Sequence, residues 1–177
     1  MARKAVFEKE YIINKSLDFI KEKGIESLSV RELSNYIGCS TQPMFRLFES
    51  MDLFKKDLKK KLDKEYIDFS EKMINKNNYL LTMSYAYAMY AKKENSMFQA
   101  LFLSDLSDNN LIKPNKKAIK YVVDEYRISE DRAKAAIRDV SIYTHGLATE
   151  LCRKNINLSD KDLLFLISTC IKRSIRI

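Results

Sequence analysis

Residues Leu28–Phe54 read LSVRELSNYIGCSTQPMFRLFESMDLF, and the spacing inside this stretch decides the fold. Ser29-Val30-Arg31-Glu32 is a capping box, in which the serine hydroxyl accepts from the Glu32 amide and the Glu32 carboxylate returns to the Ser29 amide. The pattern predicts a short helix after Ser29, with Val30, Leu33 and Ile37 inward, ending at Gly38. Ser40 is placed to cap a second short helix over 41–47, whose Met44 and Phe48 pack inward at i, i+4 spacing. Pro43 falls in its first turn, where a missing N–H costs no helical bond. Two short amphipathic helices joined by Gly38-Cys39-Ser40 make a helix-turn-helix, a motif whose second helix enters the major groove of DNA. Away from Met44 and Phe48 lie Ser40, Thr41, Gln42 and Arg46, the short polar groups and cation that base edges and phosphates require.

Working outward, residues 5–23 read as a preceding helix with Ile12, Ser16, Phe19 and Ile20 on one face, stopped by Gly24. After the motif, residues 52–72 form a longer helix with Phe54, Leu58, Leu62, Tyr66 and Phe69 nearly every fourth residue. Asn75-Lys76-Asn77-Asn78 is a polar break. Beyond it, helical patterns cover 79–92, 95–106, 114–127, 130–154 and 160–175, with Pro114, Ser129 and Ser159 at helix starts. The expected fold is all-α. An N-terminal three-helix head (1–51) is joined by a long helix to a helical ligand-binding and dimerisation domain (52–177), about nine helices in all.

Composition narrows the function. The 177 residues contain three glycines and two prolines, too few punctuators for a sandwich or barrel. No run of eighteen apolar residues is present, and the charged N-terminus lacks a signal peptide's apolar stretch, so a cytoplasmic location away from membranes is expected. Cys39, Cys152 and Cys170 are odd in number and widely spaced, which fits free thiols better than a disulfide frame or a zinc site. His145 is the single histidine, and both glycine-rich nucleotide signatures are absent. No catalytic residue, metal or cofactor is therefore assigned. The net charge of +8 suggests nucleic acid, yet residues 1–72 carry only +2 of it. The spacing of the motif, more than the total charge, points to DNA.

The stretch resembles the DNA-binding head of the TetR/AcrR family of transcription regulators. That head runs as a helix ending in Gly, then a Thr/Ser-capped helix. A Gly-Val-Ser turn follows, then Leu/Ile/Met, Tyr/Phe and Phe at fixed spacings, and a Lys opening the fourth helix. The same frame occurs here as Gly24, Ser29–Ser34, and Gly38 through Phe54, and the likeness spans residues 10–58. Two positions depart. Phe45 stands where the family has tyrosine and Met51 where it has lysine, so two phosphate contacts are missing; Lys55 and Lys56, one turn on, are the nearest substitutes. Expected base contacts are Thr41, Gln42 and Arg46, with Ser29, Arg31, Ser40, Phe45 and Lys55 toward phosphates. Later cations, Lys59, Lys60, Lys61 and Lys64, read mainly as a solvated face, while Arg3 and Lys4 form either a groove-following arm or an ordinary terminus.

The resemblance implies an effector cavity in the body. Aromatic and sulfur side chains are frequent there, suited equally to core packing and to lining a pocket. Tyr87, Tyr90, Phe98, Phe102, Tyr143 and His145 are the candidate effector residues; His145, beside the helix-weakening Gly146, is either a hydrogen-bonded interior histidine or a pocket residue. Ala133, Ala136, Ile137, Val140, Thr144, Leu147 and Leu151, with Leu163, Leu164, Ile167, Cys170 and Ile171, form stripes on the last two helices. They serve either the chain's own core or the homodimer seam (about 130–154 and 160–175) that the resemblance implies. The expected function is a homodimeric repressor on palindromic operator DNA, released by a small-molecule effector. The alternative is a helix-turn-helix protein controlled by a protein partner, without an effector.

Overall fold

The computed structural model describes residues 8–107 and 114–176; Arg3 and Lys4 lie outside them. All regular structure among the described residues is helical, in nine α-helices: α1 (Lys9–Lys23), α2 (Val30–Ile37), α3 (Gln42–Phe48), α4 (Met51–Ser70), α5 (Tyr79–Lys93), α6 (Asn95–Phe98), α7 (Lys116–Tyr126), α8 (Glu130–Cys152) and α9 (Asp160–Arg176). The chain forms two compact units, one of residues 8–65 and 96–107, the other of residues 66–95 and 114–176.

In the first unit, α1 buries Ile12, Ile13, Leu17, Phe19 and Ile20, and α2 and α3 pack on it. Phe48 closes α3 onto α4 through an edge-on contact with Phe54, ring centroids 5.1 Å apart. Phe19 and Tyr36 make a similar contact at 5.4 Å, tying α1 to α2. Such pairs add about 0.5–1.5 kcal/mol beyond the area they bury. Gly38 adopts the left-handed conformation (φ 78°, ψ 35°), letting the Cys39 N–H reach back to the Ser34 carbonyl at 2.9 Å. A side chain there would strain the turn that sets α3 against α2.

Three local expectations change. Ser29 does accept from the Glu32 N–H at 3.2 Å, but the return bond from the Glu32 carboxylate is not formed, so the capping box is half made. Ser40 is not a helix cap. Thr41 occupies that position in near-helical geometry (φ −70°, ψ −13°) with no side-chain capping bond, and neither hydroxyl has a partner among the described residues. The segment after α6 is not a regular α-helix to residue 106, because Gln99–Leu103 widens into a π-helical turn. Ser104 closes that turn, donating to the Ala100 carbonyl at 2.6 Å and accepting from the Leu106 N–H at 3.1 Å.

The second unit is built around α5 and α8, with α7 and α9 packed against them. Nine of α5's residues are buried, Tyr79, Leu80, Ser84 and Ala86–Ala91, as a helix enclosed on most sides requires. Asn115 caps α7 through the Ala118 N–H at 2.8 Å, so the helix begins two residues after Pro114. Ser129 and Ser159 cap α8 and α9 through the Arg132 and Asp162 N–H groups. The stripes on α8 and α9 are spent inside the chain: Ala133, Ala136, Ile137, Val140, Thr144, Leu151, Leu163, Ile167 and Ile171 are all buried. They are the unit's own core, and that choice between core and seam is settled for those residues. No helix among the described residues is long and apolar enough to cross a membrane.

Candidate nucleic-acid interface

The helix α3 sorts its side chains by chemistry. Met44 and Phe48 are buried, while Thr41, Gln42, Phe45 and Arg46 are exposed, with Ser40 exposed just before them. None of the five side chains makes a hydrogen bond or ion pair among the described residues. Phe45 is 62% exposed, unusual for a large apolar ring. The helix is therefore anchored by two residues one turn apart and presents two hydroxyls, an amide, a guanidinium and a ring outward. An amide and a guanidinium are the groups that bond adenine and guanine edges in pairs, and a phenyl ring suits sugars and thymine methyls.

On the flank, Ser29 and Arg31 are exposed in the first turn of α2. The α4 cations behave differently from one another. Lys60 pairs with Asp57 at 2.9 Å, Lys59 with Asp63 at 2.8 Å and Lys61 with Glu65 at 3.9 Å, so much of that run is neutralised along its own helix. Lys9 also reaches Asp57 at 2.8 Å, and these cations, Lys9 first, hold the Asp57 carboxyl below the usual carboxylate range. Lys55, expected toward phosphate, is held in an ion pair by Asp105. Lys56 is exposed and unpaired among the described residues, and sequence reasoning placed it only second. Asp105 carried no sequence signal, since its partner lies fifty residues away.

In the second unit, the candidate effector residues divide. Tyr87 and His145 meet, with Oη 2.8 Å from Nδ1. Burial pushes the Tyr87 phenol far above its usual value and draws the His145 imidazole down. A protonated phenol and a neutral ring are both satisfied when the hydroxyl donates to Nδ1. Tyr66 stands edge-on to Tyr87 (6.1 Å) and to Tyr90 (5.2 Å), and Phe69 to Tyr90 (5.1 Å). Tyr66, which its spacing places on the inward face of α4, belongs to this aromatic group. Thr149, one turn beyond His145 on α8, has a buried hydroxyl with no hydrogen-bond partner among the described residues, as does Thr144. Phe98 and Phe102 belong to the first unit, where their rings pack 5.1 Å apart. Tyr143 is on the exposed side of α8, where Ile142, Leu164 and Phe165 of α8 and α9 are also exposed.

No protein-family model matches the chain, and no curated protein matches it in sequence. Structure is informative where sequence is not. A solved glutamine-to-alanine variant of TetR from Acinetobacter baumannii AYE, in complex with minocycline, superposes with a TM-score of 0.62 over 94% of this chain and 92% of that one, at 17% identity. The fold is TetR-like. Agreement over nearly the full length of both chains extends the likeness from the head to the body. In the body, the sequence offered only length and helix count.

Proposed function

We propose that this chain is a TetR-type transcription regulator that binds palindromic operator DNA as a homodimer and is released by a small-molecule effector. The observation carrying the reading is the outward face of α3. Ser40, Thr41, Gln42, Phe45 and Arg46 are exposed and uncommitted on a helix locked by Met44 and Phe48. Thr41, Gln42 and Arg46 take the base edges, and Ser29, Arg31, Ser40 and Phe45 the backbone side. Residues 1–51 would act as the reading head and 52–177 as the regulatory part, in the cytoplasm.

Two further features support the dimer and the effector. Ile142, Tyr143, Leu164 and Phe165 put apolar surface outward on α8 and α9, and Gly146, one turn from Ile142, would place a Cβ in open space, with nothing beyond its own stretch of helix within 4 Å among the described residues. A glycine at an exposed position in the middle of a helix costs about 1 kcal/mol in the monomer and makes sense where a second helix crosses closely. The Tyr87–His145 pair and the buried Thr149 hydroxyl offer an effector aromatic surface and neutral polar groups. The ligand must favour a body conformation whose paired heads no longer fit adjacent major grooves.

The test is selection of duplexes from a random library by the purified protein, followed by anisotropy titration. A palindromic site with half-sites about one helical turn apart is expected. Failure to retain any duplex above a scrambled control would end the DNA reading. Minocycline, the compound bound by the TetR-like neighbour, is the first effector probe for release.

A further inference from the structure

From the Lys55–Asp105 ion pair we infer that Asp105 is an electrostatic latch on the DNA-binding surface, holding Lys55 off the phosphates in the state described here. The inference rests on the DNA reading above and names how that same surface is regulated.

Asp105 reaches the first unit by an unusual route. The chain leaves this unit at residue 65, builds part of the second, and returns for residues 96–107 before departing again. That returning segment contains the π-helical turn Gln99–Leu103, an irregularity that recurs at functional positions. Ser104 closes the turn with two hydrogen bonds, and Leu106 is buried, so Asp105 is held between two fixed residues with its carboxylate outward. The carboxylate takes the Lys55 ammonium across fifty residues of sequence. By contrast, Lys59–Asp63, Lys60–Asp57 and Lys61–Glu65 are pairs within α4, one turn apart.

The surroundings make the pair a choice and not a fixture. Lys55 and Asp105 line a concavity of about 240 Å³ together with Ile25, Glu26, Leu28 and Ser104. The lysine side chain can therefore swing without unpacking the core. Leu28 precedes Ser29, the cap of α2, so Lys55 opens onto the corner where the phosphate-side candidates Ser29 and Arg31 begin. An ammonium bound to a carboxylate cannot neutralise a phosphate. Both side chains are partly exposed, so the bond is weak enough to exchange. Any rearrangement that withdraws the 96–107 segment frees a cation for DNA, and any that presses it home removes one.

The experiment compares the full-length wild type, Asp105→Asn, Lys55→Gln and the double variant on the duplex selected by the wild type. With Asp105→Asn, binding at low salt tightens about two- to fivefold for each head of the dimer, the scale of one exposed ion pair. The plot of log affinity against log salt also steepens by about 1.8 for the dimer, about 0.9 for each of its two added phosphate contacts. In the Lys55→Gln background, Asp105→Asn has no effect on either quantity. A gain that persists without Lys55 would show simple repulsion between Asp105 and DNA and overturn the latch. So would an Asp105→Asn protein indistinguishable from wild type in affinity and slope. If none of the four proteins retains DNA, the DNA reading fails as well, a result separable from both. Helical melting of all four proteins is expected to coincide, since both side chains lie at the surface.

Discussion

The Tyr87 hydroxyl lies 2.8 Å from Nδ1 of His145, joining α5 to α8 inside the second unit. The bond fixes the ring's orientation and depends on its being neutral, because a protonated imidazole donates from both nitrogens and cannot accept the phenol proton. Burial depresses the His145 pKa below its ordinary value. The unfolded chain therefore takes up a proton that the folded chain resists. Stability is fully present above an unfolded value of about 6.5 and is lost as pH falls through the lower folded value. Urea unfolding at pH 7.5 and pH 5 should show this loss in the wild type, and His145→Gln should reduce it. An unchanged pH dependence in that variant would contradict the assignment.

Truncating Tyr87 to phenylalanine removes one partner of the same bond. The expected cost is about 1–2 kcal/mol, from the lost hydrogen bond and the imidazole nitrogen left without its donor. The midpoint of chemical denaturation measures it. Where an effector binds against this pair, the same variant also shifts its affinity while operator binding without effector stays at the wild-type level.

The outward residues of α3 separate recognition from folding. Gln42→Ala and Arg46→Ala should each weaken binding to the selected duplex by about 1–3 kcal/mol and relax preference at the contacted base. Both side chains are exposed, so thermal melting should move little. Equal loss on specific and scrambled DNA would reassign the residue to phosphate contact.

The inward residues behave in the opposite way. Phe48 is 2% exposed and packs on Phe54, so Phe48→Ala should destabilise the first unit by about 3–5 kcal/mol. The loss should be visible as earlier melting, and DNA binding should fall with the folded fraction.

Phe165 and Gly146 test the proposed seam with opposite signs. Phe165 is 68% exposed, so Phe165→Asp should give a monomer by light scattering with its helical content intact. Gly146→Ala should stabilise the helix itself by about 1 kcal/mol, since the added methyl meets no neighbouring element among the described residues. If a second helix crosses there, the same methyl weakens the dimer. Dimers at wild-type affinity in both variants would place the seam elsewhere.

Local rules carried much of this protein. Helix periods, the Ser29, Ser129 and Ser159 caps and the Gly38 turn depend on neighbours within a few residues, and the all-α architecture followed from them. Met44 and Phe48 inward, with Thr41, Gln42 and Arg46 outward, were legible because a single helix period separates the two sets. Where two uses of one pattern compete, sequence was silent. The stripe from Ala133 to Leu151 suits a core or a seam equally, and only the packing of α8 on α5, α7 and α9 assigned it inward and left Ile142, Tyr143 and Phe165 outside. Charges show the same division. Lys59 and Lys60 met acids one turn away, as spacing allows, whereas Lys55 found Asp105 because the chain folds a distant segment back onto the first unit. Short-range geometry is written in the order of residues; which long-range partner a charge or an apolar face meets depends on where the rest of the chain comes to lie.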